Sequence, residues 1–374
     1  MSNKFATTTS WMVASLLAAT SAFAQDNTPA PTKCRPQKSF EQGHELTQSQ
    51  MMAAYNAPAR IDVRGAWDFY VTGTFIYWEA MQENMELGIA TEGSGALIAG
   101  ATANPGQVIN MNVDYKPGFK VGLGMNFDYD NWDAYAEYTW FHGTTNTSSN
   151  GLTGGRILAF PGQPGLPSAG TTYSTAAQSW NLKMDFADLM LARSYYVGTK
   201  LAFRPFVGAR GAWIRQNTSA SFTGVSTAGT LATVDRSISW GVGPSVGLDT
   251  SWMLGYGLRI SGVASADLLY TRYNLSTAQT FANTTGVVTG QFNVNQHHID
   301  YLRPHMNLEM GFGWGSYFDN NNWHIDLAAS YGFQAFWDQN MTRHYTNGTA
   351  QASSNAPNGN LYVHGLNAQV RLDF

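Results

Sequence analysis

Val370-Arg371-Leu372-Asp373-Phe374 closes the chain, apolar side chains alternating with charged ones up to a terminal aromatic carboxylate. Alternation at period two marks a strand with one face in an apolar medium and the other in a polar one. Read backwards, Tyr362, His364, Leu366, Ala368, Val370, Leu372 and Phe374 share one face. Val363, Gly365, Asn367, Gln369, Arg371 and Asp373 share the other. A soluble sandwich can also end on such a strand, so the rest of the chain has to decide which medium the apolar face meets.

Residues 1–24 read as a secretory signal, with Lys4 as the positive start, Trp11 to Leu17 as the apolar stretch, and Ala22-Phe23-Ala24 as a small-x-small cleavage site. Removing them takes one Lys from 21 basic residues and nothing from 25 acidic ones, leaving a net charge of −5. That mild charge, with no Lys/Arg run, argues against a nucleic-acid partner. No later stretch of 18 uncharged apolar residues exists, which excludes a helical membrane protein. Aromatics make up 13% of the chain and charges 12%, against a usual charged share of about a quarter. Few charges, many aromatics and 38 glycines fit a transmembrane barrel, whose lipid face shows only as every second residue. Cys34 is the single cysteine, so no internal disulfide framework exists. Lys33 and Thr32 before it make no lipoprotein box, and the thiol reads as incidental rather than as an intermolecular cross-link.

Residues 25–66 are rich in Pro, Gln and Asn and read as a periplasmic leader, with a short helix over 45–55 and a barrel over 67–374. Ten period-two segments follow. They start at Phe69, Phe119, Trp132, Trp180, Leu201, Ile238, Leu258, Leu302, Trp323 and Tyr362. The fourth places Trp180, Leu182, Met184 and Phe186 on the lipid side, and then needs a bulge near Ala187 to bring Leu189 and Leu191 to the same side. Pro205 in the fifth calls for a bulge too, one that could turn Arg204 outward.

Connection lengths alternate. Short turns fall at Asp130-Asn131, near Gly198, at Gly255 and at Asp319 to Asn322, whereas 80–116, 143–178, 217–235, 275–296 and 340–360 are long and rich in Gly, Ser, Thr and Asn. An even strand number, short periplasmic turns, long outer loops and both termini on the periplasmic side belong to a transmembrane up-and-down barrel. The expectation is an all-β antiparallel barrel of about ten strands, or twelve if Val108 to Val113 and part of 84–92 pair separately. Trp132 and Trp140, Trp240 and Trp252, and Trp323 and Trp337 sit eight to fourteen residues apart on shared faces. With Trp180 they are assigned to two aromatic girdles bracketing the apolar band.

Two stretches carry a family likeness. Ala57-Pro58-Ala59-Arg60-Ile61-Asp62-Val63-Arg64 leads through Trp67-Asp68 into Phe75-Ile76-Tyr77-Trp78. Asp188-Leu189-Met190-Leu191-Ala192-Arg193 leads through Tyr195-Tyr196 into Leu201 to Arg210. From about residue 57 to the end the chain resembles the Legionella-type major outer membrane protein family, pore-forming barrels found also as MOMP-like porins in chlamydia-like bacteria. It departs from the cysteine-rich chlamydial proteins, since one cysteine cannot build a cross-linked network. The closing strand resembles the C-terminal signature that outer-membrane barrels present to their assembly machinery, which makes Phe374 the assembly signal.

Strand parity gives a set of lumen charges: Lys120, Lys183, Arg204, Arg210, Arg259, Arg303 and Arg371 against Asp133, Glu137, Asp185, Asp249, Asp267, Glu309 and Asp326. They line a pore or pair across it, and their balance argues against strong ion selectivity. Gly241, Gly243 and Gly247 repeat at period two with no helix after them, so they make room in a lumen rather than form a dinucleotide loop. His298 and Asp300 share a face near the outer rim, but no Asp-x-Asp pair on another strand completes a rim protease. The resemblance implies an outer-membrane porin passing small hydrophilic solutes down their gradient, without cofactor, metal or catalysis. The alternative is a structural or adhesive surface barrel with a plugged lumen. Expected partners are the lipid bilayer, the barrel assembly machinery and the solutes themselves; the oligomeric state is left open.

Overall fold

The computed structural model describes residues 57–64, 68–92, 106–127, 130–152, 155–159, 173–224, 229–348, 351–355 and 358–374. The signal segment, Cys34, the 45–55 helix and Trp67 lie outside the described residues, as does most of the leader. The first eight strands are β1 (Phe69–Gln82), β2 (Gly88–Thr91), β3 (Gly106–Ile109), β4 (Tyr115–Asn126), β5 (Trp132–Ser149), β6 (Arg156–Ala159), β7 (Tyr173–Arg193) and β8 (Tyr195–Val197). They continue as β9 (Leu201–Gly224), β10 (Thr230–Gly255), β11 (Leu258–Ala282), β12 (Val288–Phe318), β13 (Trp323–Asn340), β14 (His344–Gly348), β15 (Gln351–Asn355) and β16 (Gly359–Asp373).

Ten of them close on themselves in the order β7-β5-β4-β1-β16-β13-β12-β11-β10-β9, with β9 pairing back to β7, and every junction is antiparallel. Following paired residues once around the wall from Tyr70 leads through Gly124, Tyr135, Met190, Gly208, Ser245, Asp267, His305, Phe336 and Leu361 to Gln82. The return lies twelve residues up β1, which fixes the shear. Ten strands with that shear imply a tilt of about 40° and a backbone radius of about 10 Å, which inward side chains can largely fill.

The turns at the periplasmic end follow from residues that accept positive φ. Asp130 and Asn131 take φ 58° and 55°, the two-residue geometry that matches strand twist, and Asp319, Asn320 and Asn321 take 51°, 54° and 68°. On the outer face Phe75, Val121, Leu123, Val207, Val246, Met310 and Val370 are exposed. That face meets lipid in a barrel of this kind, so exposure here is burial in hydrocarbon.

Four expectations are corrected. Strand β7 pairs with β9 without a register shift from Thr175 to Ala192, so the bulge near Ala187 does not exist. Trp180, Leu182, Met184 and Phe186 are instead buried inside the barrel while Leu189 and Leu191 face out. Pro205 also needs no bulge: β9 and β10 stay in register throughout, and β7 stops pairing at Ala192↔Phe206 before β8 resumes at Tyr195↔Phe203. Arg204 and Pro205 therefore face a gap in the neighbouring strand, and the missing N–H breaks no ladder bond there. The stretches 217–235 and 275–296 are mostly strand, so β9–β10 and β11–β12 run on as hairpins beyond the aromatic girdle. Above the membrane the outer face meets water and the inner face buries Thr and Gln beside a few apolar residues such as Phe222 and Leu231, so the apolar alternation thins out although Thr-rich backbone still favours strand. Finally, β2 and β3 pair with each other, and β2 with β6, so they add no staves to the barrel.

Candidate functional site

The lumen is stratified from the periplasmic end upward. Lowest is a ring of charge. The Arg204 guanidinium donates to Asp133 at 2.5 Å and to Asp249 at 2.5 Å, and the Tyr70 hydroxyl donates to Asp133 at 3.1 Å. Arg259 clasps Asp326 with both terminal nitrogens. Arg371 donates to Asp373 at 2.6 Å and lies over the Tyr70 ring at 3.7 Å, and His324 reaches the same carboxylate at 3.1 Å. The flat guanidinium and phenol groups fit because small residues face them. A Cβ on Gly124 would lie 2.0 Å from the Tyr70 ring, and one on Gly247 would lie 2.3 Å from the Phe206 ring.

One level up, Arg210 grips Asp188 with two bonds of 2.5 and 3.0 Å, and turns its remaining nitrogen to Asp267 at 2.8 Å and His305 at 2.9 Å. His305 and Asp267 are 2.5 Å apart. Lys120 faces Glu137 at 3.7 Å and sits over Trp78, and Ser330 donates to Glu309. Every one of these charges has a protein partner.

Above them lies an apolar layer contributed by six of the ten strands: Ile76, Trp78, Phe141, Met184, Phe186, Ile214, Phe336 and Val363, each at most 3% exposed. Phe186 on β7 and Phe336 on β13 stack with ring centroids 5.5 Å apart and planes at 18°. Those strands are five places apart in a ring of ten, diametrically opposite. Their rings meet in the middle of the lumen. Higher still, Trp180 donates to Gln216 at 3.3 Å, Tyr273 to Gln339 at 2.9 Å, and Arg303 reaches Asp338 at 3.2 Å. Leu87, just before β2, and Ile157, on β6, bury against Tyr173, Phe222 and Leu231 as a second apolar cluster. At the periplasmic end, residues 57–64 touch turns from separate parts of the ring. Tyr196 N–H donates to Ala57 at 2.8 Å, Arg60 to the Phe127 carbonyl at 3.3 Å, and Arg64 N–H to Asn321 at 2.8 Å.

Of the charges assigned to the lumen, all but two lie on its inner face. Lys183 and Asp185 are on the outer wall, because β7 is turned the other way; Asp185 accepts from the Tyr138 hydroxyl at 2.9 Å and contacts His142 at 3.2 Å. For the same reason Trp180 is a lumen residue and not a girdle residue. Trp252 and Trp323 are exposed at the periplasmic end, where Trp323 packs on Phe374 at 5.6 Å, and Trp132 lies at the same end of the barrel, at the Asp130 turn. Trp240 is exposed at the outer end, Trp140 lies on the same paired row about 9 Å lower because the row climbs with the shear, and Trp337 is half-buried where β13 loses register. Twelve residues from Trp252 to Trp240 at this tilt span about 30 Å of membrane normal. Asp188, His305, Tyr70 and Asp373 complete the networks and were not among the side chains assigned to the lumen from sequence. The parity that selects Arg371 selects Asp373, but Asp188 is legible only once β7 is read inside out. Burial pushes the Asp235 carboxyl, five residues beyond Trp240 on β10, up to about 6. Among the described residues no group of three or more metal-ligating side chains is present.

A closed antiparallel barrel with a lipid-facing apolar band, aromatic girdles and a paired polar lumen defines a transmembrane β-barrel of the bacterial outer membrane. The chain belongs to the Legionella pneumophila major outer membrane protein precursor family, whose model matches residues 62–374. No curated protein matches it. Among solved structures it is similar to the outer membrane protease OmpT of Escherichia coli at 8% identity, with 82% of this chain and 96% of that one covered and a TM-score of 0.36. It is similar also to a Pseudomonas aeruginosa FadL homologue at 9% identity, 82% and 90% coverage and TM-score 0.27. The Pseudomonas putida toluene transporter TodX aligns at 8%, 83% and 90%, with TM-score 0.26. These likenesses are too distant to bear on function.

Proposed function

We propose that the protein is a resident barrel of the outer membrane that is closed to general diffusion at rest, a structural and surface-displaying element rather than an open porin. The Phe186–Phe336 stack across the full diameter is the observation that carries this reading. An aqueous channel needs a continuous polar path, and a close-packed aromatic layer excludes water from that level. The paired charges below it and the second apolar cluster above it support the same conclusion.

The charged rings beneath the apolar layer favour a second reading, a gated pore for small hydrophilic solutes that conducts only when the rings part. Neither reading involves catalysis. Asp300 gives both oxygens to Arg272, at 2.8 and 3.0 Å, and His298 sits on a bulge of β12 with φ 58°, so the rim pair is not arranged as a water-activating acid and base. Swelling of vesicles loaded with protein and placed in pentose solution tests the proposal. The expected rate equals that of protein-free vesicles. A rate that grows with protein and falls with solute size would favour the gated pore.

A further inference from the structure

Cross-strand pairing on the outer wall sets out rows that climb outward by about 3 Å per strand and reach the outer girdle on β7, β9 and β10. One row reads Trp140↔Asp185↔Trp213↔Trp240↔Arg272↔Asp300. The next row outward reads His142↔Lys183↔Arg215, and the row after that carries Arg236 opposite Asn217. Lys183 and Arg215 are thus directly opposite each other on one face, with Arg236 diagonal to Arg215. Like charges in that position repel and destabilise the pair.

The neighbouring acids do not relieve this. Asp185 is held by Tyr138 and His142, and Asp300 by Arg272. Among the described residues Lys183, Arg215 and Arg236 make no ion pair, and the two arginines are exposed. Three unpaired cations stand just outside a row of tryptophans, the depth at which headgroups of the outer leaflet lie. Phosphate is the group that matches them, since guanidinium binds it in a bidentate fashion and ammonium as a point charge.

We infer that this patch on β7, β9 and β10 binds the phosphate of an anionic glycolipid of the outer leaflet, whose acyl chains lie on the apolar wall below. Native mass spectrometry of the full chain in neutral detergent, with added bisphosphorylated lipid A, tests it. The variant K183Q/R215Q/R236Q should bind lipid A on the order of a hundredfold more weakly, from about a factor of five per basic residue at an anionic surface. R272Q, whose arginine already has a partner, should bind as wild type does. Dephosphorylated lipid A should bind wild type no better than it binds the triple variant. Thermal unfolding gives an independent readout: without glycolipid the triple variant should melt at or above wild type, and lipid A should stabilise wild type alone. Should the triple variant fail to fold, R215Q takes its place, with an intermediate loss expected. Equal binding by variant and wild type, or by phosphorylated and dephosphorylated lipid, overturns the inference. So does displacement of lipid A by an equal concentration of inorganic phosphate.

Discussion

Replacing Arg210 by Ala is the perturbation whose cost follows most directly from the lumen geometry. Arg210 is the shared cation of two carboxylates whose side chains are 2% and 0% exposed, Asp188 and Asp267. Its removal leaves both buried, with only His305 beside Asp267. Breaking a buried pair by deleting one partner costs about 3–5 kcal/mol, most of it the penalty on the stranded charge. The triple change R210M/D188N/D267N removes the charges together and should come within about 1 kcal/mol of wild type, or exceed it. Equilibrium unfolding in urea from lipid vesicles, followed through the tryptophan fluorescence, measures both. An R210A cost below about 1 kcal/mol would mean that Asp188 and Asp267 are solvated, and the packed-lumen reasoning would fail.

Other changes probe the face assignments and the outer hairpins. Val246→Arg puts a cation on the lipid face between the girdles and should cost about 2–4 kcal/mol in the same assay. Gly124→Ala drives a methyl into the Tyr70 ring; a displaced ring and about 1–3 kcal/mol of lost stability are expected, the mark of overpacking. Asp235 has a folded-state pKa raised above its unfolded value of 3.8, to about 6. The fold therefore disfavours its charged form: wild type loses stability as pH rises from about 4 through about 6, by up to about 3 kcal/mol. Asp235→Asn abolishes that loss, so it should be more stable than wild type at pH 8 and no different at pH 3.

The strand count, the chain direction and most of the wall were legible because lipid and lumen impose opposite polarity on alternate residues. Ile238 to Trp252 and Leu302 to Trp314 read correctly on that rule alone. It failed on β7, where the lumen itself is apolar: Trp180 to Phe186 looked lipid-facing because no sequence pattern distinguishes hydrocarbon from a packed interior. A cue was present, since the bulge required near Ala187 had no Gly or Pro to mark it. The hairpins over 217–235 and 275–296 were illegible for a different reason, because their inner face mixes Thr and Gln with a few apolar residues such as Phe222 and Leu231, too few to count a period. Charge pairing across the lumen, such as Arg204 with Asp133, depends on strands far apart in sequence and emerges only from the closed ring.

Single-channel recording in planar bilayers, with wild type beside F186A/F336A, addresses the closure most directly. The account predicts no reproducible conductance steps from folded wild type. It predicts steps, or a raised leak, once the two rings that meet across the lumen are cut back to methyl groups. Regular steps from wild type that F186A/F336A leaves unchanged would place an open path elsewhere in the barrel and contradict the closed lumen.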